Sequence, residues 1–167
     1  MNNRKINLDD LEGYEVIELY SEILKTLKNR KIIRTNNLVG ELGEYLVIDH
    51  FNKTPNLPNL ILAEQGTQNI DAISRQGKRY AIKSVSSKTT GVFYGLNPPE
   101  EKESDEKIFD YVVIIIFDEN YQMEKIIQLD WSQFLIFKRW NKTMKAWNLS
   151  ITRKLIDAGK IIYSRDL

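Results

Sequence analysis

Asn69-Ile70-Asp71-Ala72-Ile73, then Ser74-Arg75-Gln76-Gly77-Lys78-Arg79, then Tyr80-Ala81-Ile82-Lys83-Ser84, is the stretch that decides how this chain folds. Two apolar runs flank a polar turn whose glycine can take the positive φ of a tight hairpin, so the runs are predicted to pair antiparallel. Side chains alternate along a strand, which puts Ala81 and Lys83 on one face and Tyr80, Ile82 and Ser84 on the other. Lys83 then stands in the row that can face Asp71. An Asp and a Lys on neighbouring strands are often a solvated pair worth well under about 1 kcal/mol. Here the apolar run before Lys83 points to burial instead.

Upstream, Asn37-Leu38-Val39-Gly40-Glu41-Leu42-Gly43-Glu44-Tyr45-Leu46-Val47-Ile48 reads as a helix capped by Asn37. On the helical wheel Glu44 lies close to Ile48 and Phe51, while Leu38, Leu42, Tyr45 and Leu46 form another apolar stripe. Glu44 is therefore expected to be drawn inward, where a carboxylate is costly unless paired, hydrogen-bonded or bound to a metal. Gly40 and Gly43 each cost roughly 1 kcal/mol relative to alanine inside a helix. Their presence predicts a close approach to another backbone or to a ligand.

Helix Glu, strand Asp and strand Lys in this order resemble the PD-(D/E)XK nuclease superfamily, over residues 37–129. The resemblance implies an α/β chain with a restriction-endonuclease-like αβββαβ core and a central mixed sheet. It implies that Glu44, Asp71 and the backbone carbonyl of Ile82 hold Mg2+ or Mn2+. Lys83 would orient the attacking water and the scissile phosphate, making Glu44, Asp71 and Lys83 the catalytic set. One departure is plain: where the family usually carries an acid two residues before the lysine, this chain has Ala81. Glu41, one helical turn before Glu44, and Glu64, after Leu60-Ile61-Leu62-Ala63, are the acids that could have taken its place, although a solvated surface role is the commoner one for each. The implied activity is metal-dependent endonucleolytic cleavage of DNA, in restriction or antiviral defence, with RNA as an open alternative substrate. Cutting both strands of a duplex needs two sites, so a homodimer is expected, with the N-terminal helix as a contact. The rival expectation is a non-catalytic module that kept the fold and binds DNA or a partner subunit.

The 167 residues suffice for one domain with a real core, organised as an N-terminal helix and link (1–36), the nuclease-like core (37–129) and a basic, aromatic C-terminal extension (130–167). The chain has no cysteine, which excludes disulfides and thiolate metal sites and suits a reducing cytoplasm. His50 is the single histidine, so a structural zinc site or a histidine-dependent triad is not expected. Residues 1–5 are polar and carry no apolar signal core. Tyr111-Val112-Val113-Ile114-Ile115-Ile116-Phe117, the longest apolar run, is too short to span a bilayer and reads as a buried central strand, so a cytoplasmic protein away from membranes is expected.

Further elements follow from periodicity. An amphipathic helix is predicted over residues 8–29, with Ile17, Tyr20, Leu24 and Leu27 at helical spacing. Strands are predicted over 60–63, 68–74, 79–85, 111–117, 122–129 and 146–151. Shorter helices are predicted over 130–137 and 153–158, the second ended by Gly159. Residues 98–107, rich in Glu, read as a mobile acidic loop. The formal net charge is only +1. Yet between Ser74 and Thr90 every charged residue is basic, and Arg75, Lys78, Arg79 and Lys88, with the Ser84 hydroxyl, are candidate phosphate contacts. Of the three tryptophans, Trp140 is expected to be the most exposed and to stack on bases, and Trp131 and Trp147 to lie in the core.

Overall fold

The computed structural model describes residues 7–35, 37–64, 66–101 and 103–166; the polar start at residues 1–5, Asn36 of the link and Lys102 of the acidic segment lie outside them. After a single 3-10 turn (Leu8–Asp10) come α1 (Gly13–Asn29), α2 (Leu38–Lys53), β1 (Leu60–Leu62), β2 (Ala72–Ser74), β3 (Arg79–Val85), β4 (Tyr111–Phe117), β5 (Met123–Asp130), α3 (Trp131–Phe137), β6 (Lys138–Asn141), β7 (Ala146–Leu149), α4 (Arg153–Ala158) and β8 (Lys160–Ser164). The architecture is α/β: a mixed six-stranded sheet in the order β1-β2-β3-β4-β5-β8, with β6 and β7 forming a separate hairpin. The β3–β4 pair is parallel, and the other pairs are antiparallel. No helix among the described residues is long and apolar enough to cross a membrane.

β4 is apolar without alternation because both faces of the sheet are covered. Val113, Ile115 and Phe117 pack with Tyr80 and Ile82 beneath α2, where Val47 and Phe51 close the layer. Val112 and Ile114 pack on the other side with Ala81, Val85 and Leu129. There Phe93, Phe109 and Phe134 meet edge-on or tilted at 4.8–5.6 Å between ring centroids, a geometry that suits the aromatic quadrupole.

The β2–β3 hairpin forms as the sequence predicts, with Gly77 at φ +77° in its turn. Asn37 caps α2 by accepting from the Gly40 amide at 3.3 Å, and Asp130 and Gln133 form a reciprocal capping box on α3. The two glycines of α2 serve unlike ends. At Gly43 the helix lies so close to β3 and β4 that a Cβ would come 1.8 Å from Ser84 Oγ and 2.9 Å from Ile115 Cγ2. At Gly40 a Cβ would meet the capping Asn37 side chain, and the Gly40 carbonyl accepts the Ser84 hydroxyl at 3.4 Å.

Several expectations are revised. The first helix is broken: the turn at Leu8–Asp10 ends before α1 begins at Gly13, and none of the residues of α1 is buried. β2 has three residues, because Asn69 at φ +58° turns the chain away from the ladder. Among the described residues, no helix forms between β3 and β4, where the resemblance implies one. That connection is rich in Ser, Thr, Gly and Pro, all poor helix formers, and it covers the sheet with Phe93 and Phe109 instead. Its acidic part is tied down rather than mobile. Asp105, 7 % exposed in its side chain, pairs with Lys138 and accepts the Asn97 amide at 2.7 Å, and Trp147 Nε1 donates to the Asn97 carbonyl at 2.8 Å. Trp140 is half-buried with its ring edge-on to Trp147 at 5.2 Å, so it is not the open stacking surface expected of it. β6 and β8 were not foreseen: Lys138-Arg139-Trp140-Asn141 has no apolar alternation, and β8 is an edge strand held by β5.

The contact at Gly43 is testable. Gly43→Ala should destabilise the fold by about 1–3 kcal/mol through overpacking, and a second change, Ser84→Gly, should recover a large part of that loss. Urea denaturation of the single and double variants measures both.

Candidate active site

β2 is so short that Asp71 lies just beyond its last ladder position. Continuing the register Ala72↔Tyr80 and Ile73↔Arg79 by one step sets Asp71 opposite Ala81, on the face shared with Lys83. The Asp71 backbone stays paired, its N–H donating to Tyr80 at 2.8 Å and its carbonyl accepting from Ala63 at 2.9 Å. Its side chain then takes over from the departing strand: Oδ2 accepts the Ile82 N–H at 2.7 Å. The N–H and C=O of a strand residue point to the same side, so the Ile82 carbonyl also looks toward this gap.

Glu44 approaches the gap from α2. Its side chain is 17 % exposed, and Oε2 accepts Arg34 Nη2 at 2.9 Å. Arg34 is held by Glu41, which is buried and accepts the backbone N–H groups of both Arg34 and Thr35. Glu41, one turn before Glu44, thus clamps the link so that the Arg34 guanidinium reaches its neighbour. A cleft of about 240 Å3 opens between Glu44, Asp71, Arg34, Glu64 and Thr67, of a size that suits a small anionic group or a short stretch of chain. A second hollow, lined by Lys31, Tyr45, Ile48 and Leu62, lies on the other side of the Arg34–Glu44 pair.

Burial raises the Glu44 pKa to about 7, with the charges of Asp71 and Glu41 adding to the rise and those of Arg34 and Lys83 only partly opposing it. Burial likewise raises Asp71, against the opposing influence of the Ile82 N–H, Lys83 and Arg34. Lys83 is pushed down by burial, with Asp71 and Glu44 acting the other way. Its ammonium lies over the Phe93 ring at 4.7 Å, which keeps a cation in a desolvated position. Glu41 is different. Burial opposes its ionisation, but the N–H groups of Arg34 and Thr35 outweigh that and hold its pKa below the usual range.

Glu44, Asp71, Lys83 and Ile82 are therefore brought together, and the other candidates disperse. Ser84 points under α2 and packs against Gly43, on the strand face opposite Lys83. Lys78 and Arg79 converge with Lys107 on Asp110 at 3.8, 3.5 and 2.9 Å, at the end of β3 away from Lys83. Asp110 falls to about 2: its burial is overcome by the Arg79 N–H and the Lys107 and Lys78 ammoniums. Arg75 and Lys88 are exposed. Glu64 is exposed at the cleft rim, whereas Ala81 is fully buried opposite Asp71. His50 packs edge-on to Tyr163 at 5.5 Å. Sequence reasoning missed Arg34, which sits in a polar link with no pattern around it.

Among the described residues, no three His, Asp or Glu side chains gather into a ready metal cage. Glu44 and Asp71 nevertheless form a fitting pair for a hard cation such as Mg2+, which is held by few protein oxygens and keeps water and substrate phosphate as its other ligands. Each carboxylate here resists ionising because it is buried, Glu44 also because of the Asp71 charge, and a nearby dication would relieve that. No protein-family model matches the chain, and no curated protein matches it.

The raised Glu44 pKa makes stability depend on pH. The unfolded chain releases this proton near 4.5 and the folded chain near 7, so the folded state binds more protons across that window and loses stability as pH rises through it. Glu44→Gln removes this loss. Between pH 4 and pH 8 the stability of the variant relative to the natural chain should rise by on the order of 1–2 kcal/mol, after allowing for solvent screening. Urea denaturation at the two pH values checks it, and a pH-independent difference would contradict the assignment.

Proposed function

We propose that the chain is a metal-dependent endonuclease of the restriction-endonuclease-like class, with DNA as its substrate and Glu44, Asp71 and Lys83 as its working groups. The observation that carries this reading is the convergence of two desolvated carboxylates from separate elements on one cleft, close enough to the buried Lys83 for its charge to act on both. The order of elements supports it: a helix carrying the first acid, three antiparallel strands with the second acid just before the second of them and the lysine on the third, and a fourth strand parallel to the third. The absent helix between β3 and β4 is a departure from that class.

Glu44 and Asp71, with the Ile82 carbonyl, would hold the Mg2+ or Mn2+ ion, which supplies Lewis-acid polarisation and an acidified water when bound. The chain's own groups do the rest. Lys83 offers a positive charge to the non-bridging phosphate oxygens, in a position where low dielectric strengthens its pull as charge develops there. Arg34, paired with Glu44 in the free protein, is a second cation able to turn toward a phosphate entering the cleft. Asp71 has two tasks: Oδ2 ties down the Ile82 N–H, which fixes both the carboxylate and the adjacent Ile82 carbonyl. Arg75 and Lys88, exposed on the hairpin turn and after β3, are left to meet the backbone farther from the cut.

Ala81 favours a second reading. A fully buried methyl group stands directly opposite Asp71, where the class usually has an acid, and Arg34 already neutralises Glu44. Such a site suits a non-catalytic module that binds nucleic acid or a partner.

Supercoiled plasmid incubated with the protein and Mg2+ or Mn2+ separates the two. Nicking by the natural chain should fall at least about a hundredfold in Asp71→Asn, which keeps the acceptor for Ile82, and in Lys83→Ala. DNA retention with no nicking under any divalent cation supports the module instead. If cleavage depends on ionised Glu44, the rate at fixed metal concentration should climb as pH rises through about 7, because a ligating carboxylate must first lose its proton. A flat profile from pH 5.5 to 8.5 would remove Glu44 from the ligand set.

A further inference from the structure

Arg34 reaches the cleft from a backbone that is fastened in place. Glu41, buried in α2, accepts the N–H groups of Arg34 and Thr35 on one carboxylate oxygen, so the torsions of the Arg34 side chain are what is left to move. The side chain lines both hollows and is 29 % exposed. Nη2 alone meets Glu44, at 2.9 Å from Oε2, and among the described residues this is the single hydrogen bond of the guanidinium. A guanidinium carries five N–H donors in a planar fork and grips a carboxylate or a phosphate most firmly through two of them at once. The end-on contact with Glu44 is therefore one that a better acceptor can take over.

The charges around the cleft say what that acceptor is. Glu44 and Asp71, once ionised, bring two negative charges, and Arg34 and Lys83, which act on both, bring two positive ones. A dication that takes Glu44 does so beside a guanidinium already on that carboxylate, and repulsion in a partly desolvated site weakens its hold. A phosphodiester removes the obstacle. It offers the fork two oxygens and a negative charge, and when Arg34 turns to it, Oε2 of Glu44 is released. We propose that Arg34 couples the metal to the substrate: it holds Glu44 in the free protein and passes to a substrate phosphate, so that the divalent cation and the nucleic acid each strengthen the binding of the other. This rests on the reading of Glu44 and Asp71 as metal ligands, and adds that the protein without nucleic acid binds the cation weakly because Arg34 stands in its way.

Calorimetry of Mg2+ binding to the full-length protein tests the first half, at pH 8.5 so that a proton on Glu44 competes little. Arg34→Gln should bind Mg2+ at least about fivefold more tightly than the natural chain, and Arg34→Lys, which keeps the charge, should stay near the natural value. Fluorescence anisotropy of a labelled DNA duplex tests the second half, in the Lys83→Ala background that leaves the duplex uncut. Mg2+ should tighten duplex binding there. Because coupling is reciprocal, adding Arg34→Gln should shrink that enhancement by about the factor by which it raised the Mg2+ affinity. If Arg34→Gln leaves Mg2+ binding unchanged or weakens it while Asp71→Asn abolishes it, the coupling is overturned and the metal site stands. Mg2+ binding indifferent to Asp71 would remove the metal site, and the coupling with it.

Discussion

The approach of α2 to the sheet at Gly43 is the constraint on which the rest depends. With no Cβ there, the helix settles onto Ser84 and Ile115, and the next residue, Glu44, is carried to the place where β2 leaves β3. A helix held farther off by an ordinary side chain would leave Glu44 nearer to water, with its usual acidity and without the influence of Asp71. The unusual electrostatics of the cleft therefore follow from a packing distance. Burial is the largest contribution for each of Glu44, Asp71 and Lys83, and the mutual effects of the charges come after it.

The cleft balances charges without satisfying them. Two acids that resist ionising act on a lysine under pressure to lose its proton, and Arg34 reaches in from outside the sheet and α2 to pair with Glu44. Glu41 shows how differently the same residue type behaves one turn away. Two backbone N–H groups converge on Oε2 of its carboxylate, so it is buried and ionised and serves as a fastener, while Glu44 keeps its unsettled character. A buried acid is thus no sign of chemistry until its hydrogen-bond partners are counted.

Much of the frame was legible in the sequence because local rules and burial agree there. The bounds of β3 and β4 follow from apolar runs enclosed by turn residues, and α2 and α3 begin at the side chains that cap them. Glu44, Asp71 and Lys83 could be read because alternation and helical spacing fix direction. Elements that exist by virtue of a distant partner could not be: β6 needs β7, β8 needs β5, and Arg34 needs Glu41 to hold its backbone. Charge was overcounted for a related reason. Lys78 and Arg79 look like free cations in a basic run, but Asp110, remote in sequence, gathers both. Ser84 is withdrawn from phosphate contact for a like reason, since the strand face opposite Lys83 is the one α2 covers.

The parallel seam between β3 and β4 also governs how the molecule must assemble. The β2–β3 and β4–β5 hairpins are local and close early, but the seam joins them across residues 86–110, and that long loop must be ordered before any contact rewards it. Until it closes, β4 presents Val112-Val113-Ile114-Ile115-Ile116 with one backbone edge unpaired, a segment of high β-propensity without charge or proline. The strand that gives the folded protein its core is thus the part of the nascent chain most exposed to misassociation, and Lys83, on the partner side of the seam, reaches its final surroundings only when that hazard has passed.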